Sequence, residues 1–388
     1  MKLYEYACLD AVGLRELLRG GELRPAEVED LARRAIEQVD PDLNALTGPL
    51  FDQPLTSDPD GPLAGVPFLL KDSGPFARGV AFSLGSRAIH GAVAGEDHDL
   101  MARFRAAGLA TLGKTTVPEL GLSFATESAR HGPTRNPWDM TRGVGGSSGG
   151  AAALVAAGAV PLAHGNDGGG SIRVPASCCG LVGLKPSRGR TPCGPQVGEA
   201  GFGQIIEFGL CRTVRDVAHL LDAVSDPPVG DKYVAPPPGR PYTDELRAAP
   251  GVLRVAVMTK PWAGTPVLSQ VADIAVTTAH VLEWIGHTVV KAAPAVDAED
   301  IIEASTLAVA TTGAALLRAP HDAVGLEAVS RRILVETRRA TAMDIISATE
   351  AQHRVTRPIN RFFLDHDLLV TPTLAQLPAP HGTLSLSG

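Results

Sequence analysis

GVGGSSGGAAALVAAGAVPLAHGNDGGGSIRVPA, residues 143–176, sets two glycine clusters, each holding serine, on either side of an almost wholly small and apolar segment. Ser147 and Ser171 stand 24 residues apart within it. The middle reads as a helix over AAALVAAGA, then a strand near VPLAHG, with a short helix after Ser171. Helix and strand alternating between tight glycine turns point to an α/β fold.

The same rhythm extends outward. PAEVEDLARRAIEQV, from Pro25, places Val28, Leu31, Ala32, Ala35, Ile36 and Val39 on one helical stripe, with proline at the first helical position. AGVPFLLKD is a short apolar strand ending at Lys71, DHDLMARFRAAG a helix, and LATLGKT a second strand. Downstream, GLVGLKP reads as a strand and Val217, Leu220, Leu221 and Val224 as a helical stripe. LRVAVM, a helical pattern from about Pro266 to Ile285, and HTVVK form another unit, and DLLVTPT (Asp367–Thr373) is the last strand. Residues 226–251, rich in proline and polar residues, read as a long surface crossing. The tail LAQLPAPHGTLSLSG is expected to add little core.

Composition narrows the function. The 388 residues are 44% hydrophobic, ample for a core, and the net charge of -7 comes without a basic block. No electrostatic footprint for nucleic acid or anionic lipid is present, so small-molecule chemistry is expected. Glu5 and Asp10 break the N-terminal apolar run, and no stretch approaches the roughly 18 uninterrupted apolar residues of a membrane span. Neither a signal peptide nor a membrane anchor is expected. Five cysteines without CxxC spacing indicate neither a disulfide framework nor a zinc site, fit a reducing cytoplasm, and leave Cys178 and Cys179 as core packing.

Three motif matches compete. GLATLGKT (Gly108–Thr115) satisfies the phosphate-loop pattern, but a helix precedes it, residues 109–112 read as strand and Pro118 interrupts the segment downstream, where a helix would have to start. Gly145, Ser147 and Gly149 satisfy GxSxG, but TRNPWDMTRGV supplies no strand leading into an elbow. His164 reads as a satisfied, half-buried residue instead of a base. The third reading uses both serine clusters. Gly168, Gly169 and Gly170 lead into Ser171 and IRVPA, and such a turn can aim several N–H groups at an oxyanion while the serine attacks a carbonyl.

That serine needs a base, and Lys71 lies where the chain dives into the core. Lowering a lysine from its reference value near 10.4 to near 7 takes about 4.6 kcal/mol of differential destabilisation, which burial can supply. A snorkelling Lys71, a helix-capping Ser147 and a glycine turn that only packs tightly remain the alternatives for each residue alone.

GVPFLLKD, GKTTVPELGL, TESARHGPTRNPWD, GGSSGG and GNDGGGSIRVPASCCGLVGLKPSRGR, in that order over about residues 20–225, resemble the amidase signature family. The ending SCCGLVGLKPSRGR looks most like that of the 6-aminohexanoate cyclic-dimer hydrolases. The resemblance implies a central mixed, twisted β-sheet covered by helices on both faces, in a single domain over 1–388 with its motif-bearing core at about 60–225. It also implies a triad of Ser171 as nucleophile, Ser147 as bridging serine after a cis bond from Gly146, and Lys71 as base, working on a small-molecule amide without metal or organic cofactor. Gly168, Gly169 and Gly170 are then the oxyanion hole. Asp167 and Arg173 shape the turn, Ser148 supports the network of the lysine and Ser147, and Gly121 and Leu122 line the acyl pocket. A glutamine-dependent amidotransferase subunit of the aspartyl/glutamyl-tRNA type is the alternative. Family members usually continue several tens of residues beyond the strand resembling DLLVTPT, so the fold is expected to lack their C-terminal strands, with reduced stability or with a homodimer or partner chain covering the gap.

Overall fold

The protein is described by a computed structural model covering residues 1–226, 229–318 and 321–387. The strand Pro67–Lys71 is buried at every position and pairs in parallel with Ala110–Thr115, Lys71 opposite Thr115. The helix Asp99–Ala106 makes the crossover, with His98 Nδ1 accepting from the Leu100 amide at 3.1 Å. Gly113 and Lys114 lie inside the second strand, and Lys114 Nζ is 2.6 Å from the buried Asp72 carboxylate. The phosphate-loop match is therefore a strand with an ion pair.

The small segment after the first serine cluster forms the helix Gly149–Ala156, buried at every residue except the last. Its small side chains permit an approach that larger ones would forbid. The strand Leu162–Asp167 comes next, packed against Pro67–Lys71 and hydrogen-bonded antiparallel to Ile206–Cys211. That partner strand carries Val182–Gly183 on its other edge. Farther along, Arg254–Val257 lies between Thr288–Lys291 and Leu368–Val370, parallel to both, with the helix Ser269–Trp284 as one crossover.

The architecture is mixed α/β, as expected. Its hydrogen bonding is parcelled into small sheets, because the strands are short and the lysine strand carries an irregularity between Phe68 and Leu69. The main core gathers Tyr6, Phe68, Phe104, Leu154 and Phe208. Phe68 and Phe104 pack with ring centroids 4.8 Å apart, and each such side chain contributes roughly 1.5–3 kcal/mol by leaving water. Cys179 belongs to this core and Cys178 packs half-buried against it.

Three helices that the sequence pattern left unassigned, Ala298–Arg318, Ala328–Arg339 and Ala342–Asp365, pack together. The last begins with a capping box, Thr341 Oγ1 accepting from the Asp344 amide while Asp344 takes the Thr341 amide at 2.7 Å. The first has a mean hydropathy of 1.3 and is long and apolar enough to cross a membrane by length and composition. It is not an uninterrupted apolar run, since Glu303, Ser305, Thr306, Thr311 and Thr312 break it. The tail adds little core, as expected, but is tied down at its end. Leu386 is buried, its carbonyl accepts from Val329, and His381 Nδ1 lies 2.9 Å from Glu127.

Candidate active site

Lys71 ends its strand with its side chain wholly enclosed. Its Nζ donates to Ser147 Oγ at 2.7 Å and to Asn166 Oδ1 at 2.5 Å. Burial pushes its pKa down to about 7, against the opposing pull of the Glu207 and Asp167 carboxylates. Ser147 follows a cis peptide bond from Gly146. Ser147 and Ser171 face one cavity of about 360 Å³, together with Gly168, Gly169, Gly121 and Leu122.

The turn before Ser171 is organised by Asp167. Its carboxylate accepts the amides of Gly170, Ile172 and Arg173 at 2.8, 3.2 and 3.3 Å, and the Arg173 guanidinium at 2.8 and 2.7 Å. Burial raises its pKa, but the Arg173 hydrogen bonds and charge with the amides outweigh this and hold the carboxyl below its usual range. Gly170 has φ +133°, and a Cβ there would stand 2.9 Å from Val174 Cγ2. Because the Gly170 amide is spent on Asp167, the oxyanion donors expected of the turn narrow to Gly168, Gly169 and Ser171. Ser148 acts on this network from behind. Its amide donates to the Ser171 carbonyl at 3.2 Å and its Oγ to the carbonyl of Asn166, the residue on Lys71, at 3.4 Å.

Sequence reasoning missed Asn166 and Glu207. Asn166 sits beside Lys71, and its Nδ2 donates to Ser73 Oγ and Glu207 Oε1, both at 3.2 Å. Glu207 Oε2 is 2.7 Å from His164 Nε2. His164, expected half-buried, is fully enclosed, and burial pushes its pKa down. The far wall of the cavity comes from the apolar helix Ala298–Arg318, through Ala308, Thr312 and Leu316 among others. Nothing in the motifs signalled that wall.

The Amidase family model matches residues 33–387. The chain belongs to the amidase signature family. A 6-aminohexanoate-cyclic-dimer hydrolase of Paenarthrobacter ureafaciens is 42% identical to this amidase-family chain over 292 residues, 74% of the chain and 59% of the relative. The chain thus spans under two thirds of that relative's length. A putative amidase of Synechocystis is 33% identical over 399 residues, 98% of the chain and 76% of the relative. Among solved structures, a 6-aminohexanoate cyclic dimer hydrolase complexed with substrate superposes with a TM-score of 0.92 at 34% identity, covering 98% of this chain and 83% of that one. A bacterial aryl acylamidase of the amidase signature family gives a TM-score of 0.86 at 26% identity, covering 97% and 81%.

Proposed function

We propose that this chain is an amidase that hydrolyses a neutral, linear or cyclic carboxylic amide through an acyl-enzyme on Ser171. The observation that carries the reading is the buried Lys71 Nζ, with a pKa of about 7, at 2.7 Å from Ser147 Oγ beside the same cavity as Ser171. A lysine poised near neutrality can accept a proton without an unfavourable step.

In this mechanism Ser171 gives its hydroxyl proton to Ser147 Oγ as Ser147 passes its own to neutral Lys71, and the Ser171 oxygen bonds to the amide carbon. The carbonyl oxygen becomes an oxyanion held by amides among Gly168, Gly169 and Ser171, each good donor being worth about 2.7–4 kcal/mol. The lysine ammonium returns its proton through Ser147 to the amide nitrogen, the carbon–nitrogen bond breaks, and the amine leaves. Water then attacks the acyl-enzyme by the same relay and frees the acid. No step calls on a metal or organic cofactor.

Glu207 is the only ionisable side chain on the cavity wall among the described residues; the rest are apolar, glycine or neutral polar, including Phe76, Leu84, Ile89 and Ile205. Such a wall offers no cation for the α-carboxylate of glutamine, which disfavours the amidotransferase reading. Likeness to the cyclic-dimer hydrolases supports a neutral amide of that type. The free cysteines are compatible with a reducing, cytoplasmic setting.

The test is product release by the isolated chain. 6-Aminohexanoate cyclic dimer or neutral aryl amides should be cleaved while glutamine yields no ammonia. Ammonia from glutamine with every neutral amide untouched would overturn this reading.

A further inference from the structure

Strand register sets a second line of groups behind the lysine. In the Leu162–Asp167 strand, alternation puts His164 and Asn166 on one face, and Glu207 stands directly across from Asn166 in the antiparallel pair. Asn166 Oδ1 accepts from Lys71, its Nδ2 reaches Glu207 Oε1, and the other Glu207 oxygen lies on His164. An amide turned the other way would aim its oxygen at a carboxylate and its NH2 at an amine, losing both contacts.

We propose that Glu207, seated on His164, is a positioning residue of this site: it fixes the Asn166 amide with its carbonyl on Lys71 and so holds Nζ on Ser147. The inference rests on the reading of Lys71 as the base. A carboxylate with little exposure and, among the described residues, no arginine or lysine in ion-pair contact is costly to keep for stability alone. Burial pushes the Glu207 carboxyl up, but His164, His98 and Lys71 together outweigh it and hold the group below its usual range.

The charged and titratable surroundings are few. Glu207 and Asp167 act on Lys71; His164, His98 and Lys71 act on Glu207; Arg173 neutralises Asp167; and the adjacent Asp72 is paired with Lys114. Cys193 also feels Glu207, and its thiol is raised out of the neutral range. Removing the Glu207 charge therefore takes away an anion that favours the ammonium form of Lys71.

Glu207→Gln is compared with wild type by two readouts: the Lys71 titration by lysine carbon-13 NMR, which needs no catalysis, and the pH dependence of Ser171 labelling by a fluorophosphonate. The variant should titrate about half a pH unit or more below wild type. Its labelling profile should show the same displacement of the acid limb and a plateau several-fold lower, because the base is weaker. Glu207→Asp should restore the wild-type midpoint. If Glu207→Gln does not fold, Asn166→Ala, which removes the link itself, should lower the midpoint in the same direction. Coincident Lys71 midpoints in wild type and the folded variant would overturn the inference. A displaced midpoint with Ser171 unlabelled even in wild type would uphold it while refuting the amidase mechanism.

Discussion

A Cβ on Gly121 would stand 3.2 Å from Ser147 Oγ, on a residue whose φ is +71°. The loop that lines the cavity thus comes close enough to Ser147 that an added methyl would press on its hydroxyl. Gly121→Ala adds strain from the left-handed backbone, roughly 1–2 kcal/mol, to pressure on Ser147. The variant should fold, and its amide hydrolysis should fall about tenfold or more. Wild-type kcat/KM in the folded variant would show that this approach is not critical.

The pKa of Lys71 fixes the direction of two pH effects. The proposed mechanism needs the neutral amine, so kcat/KM should fall as pH drops through about 7. The effect on stability comes from the difference between the folded value of about 7 and the ordinary 10.5. Between these values the unfolded chain binds more protons than the folded one, so this group makes stability rise with pH across that window. Lys71→Met removes the effect. The Tm of the variant minus that of wild type should be most positive below pH 7 and should decrease steadily towards about pH 10. A difference independent of pH would contradict a depressed lysine.

Asp167 gathers three amides and a guanidinium, and its neutral amide analogue cannot accept them all. Asp167→Asn should cost about 2–4 kcal/mol in stability, read by denaturant unfolding, because Arg173 is left without its partner. Activity should fall with it as the Gly168–Ser171 turn loosens.

Gly149 opens the buried helix, and a Cβ there would lie 2.1 Å from Thr126 Oγ1. Gly149→Ala should destabilise by about 1–3 kcal/mol. Gly149→Ala with Thr126→Ser, which removes a methyl group but keeps the hydroxyl, should recover little, and Thr126→Gly should recover only part of the loss, because Val144 Cγ2, 2.5 Å from the new methyl, still blocks it and the hydroxyl's bond to the Gly145 carbonyl is lost.

The residues of the site differ in how far the chain announces them. Lys71 was legible as a charge at the end of the apolar strand PFLLK, and the two serines as reactive groups held in glycine turns. The helix Pro25–Leu43 was legible from its stripe. The strand Ile206–Cys211 was not, since Glu207 and Gly209 break its apolar run and its pairing with Leu162–Asp167 is long-range. Asn166 and Glu207 acquire meaning only once that register sets them side by side. The helix Ala298–Arg318, built of alanine and threonine, shows a weak stripe, and its contribution to the cavity wall depends on tertiary packing. Leu386 looked like part of a polar tail, and its burial depends on long-range contacts of the tail with Glu327 and Val329.

The central claim is that Ser171 is a nucleophile activated by Lys71 through Ser147. Its most direct test is intact-mass and peptide mapping of the folded chain after fluorophosphonate treatment, beside Ser171→Ala and Lys71→Ala. One adduct on Ser171, absent from Ser171→Ala and formed at least about a hundredfold more slowly in Lys71→Ala, is the predicted result. An adduct on another residue, or equal labelling without Lys71, would contradict it.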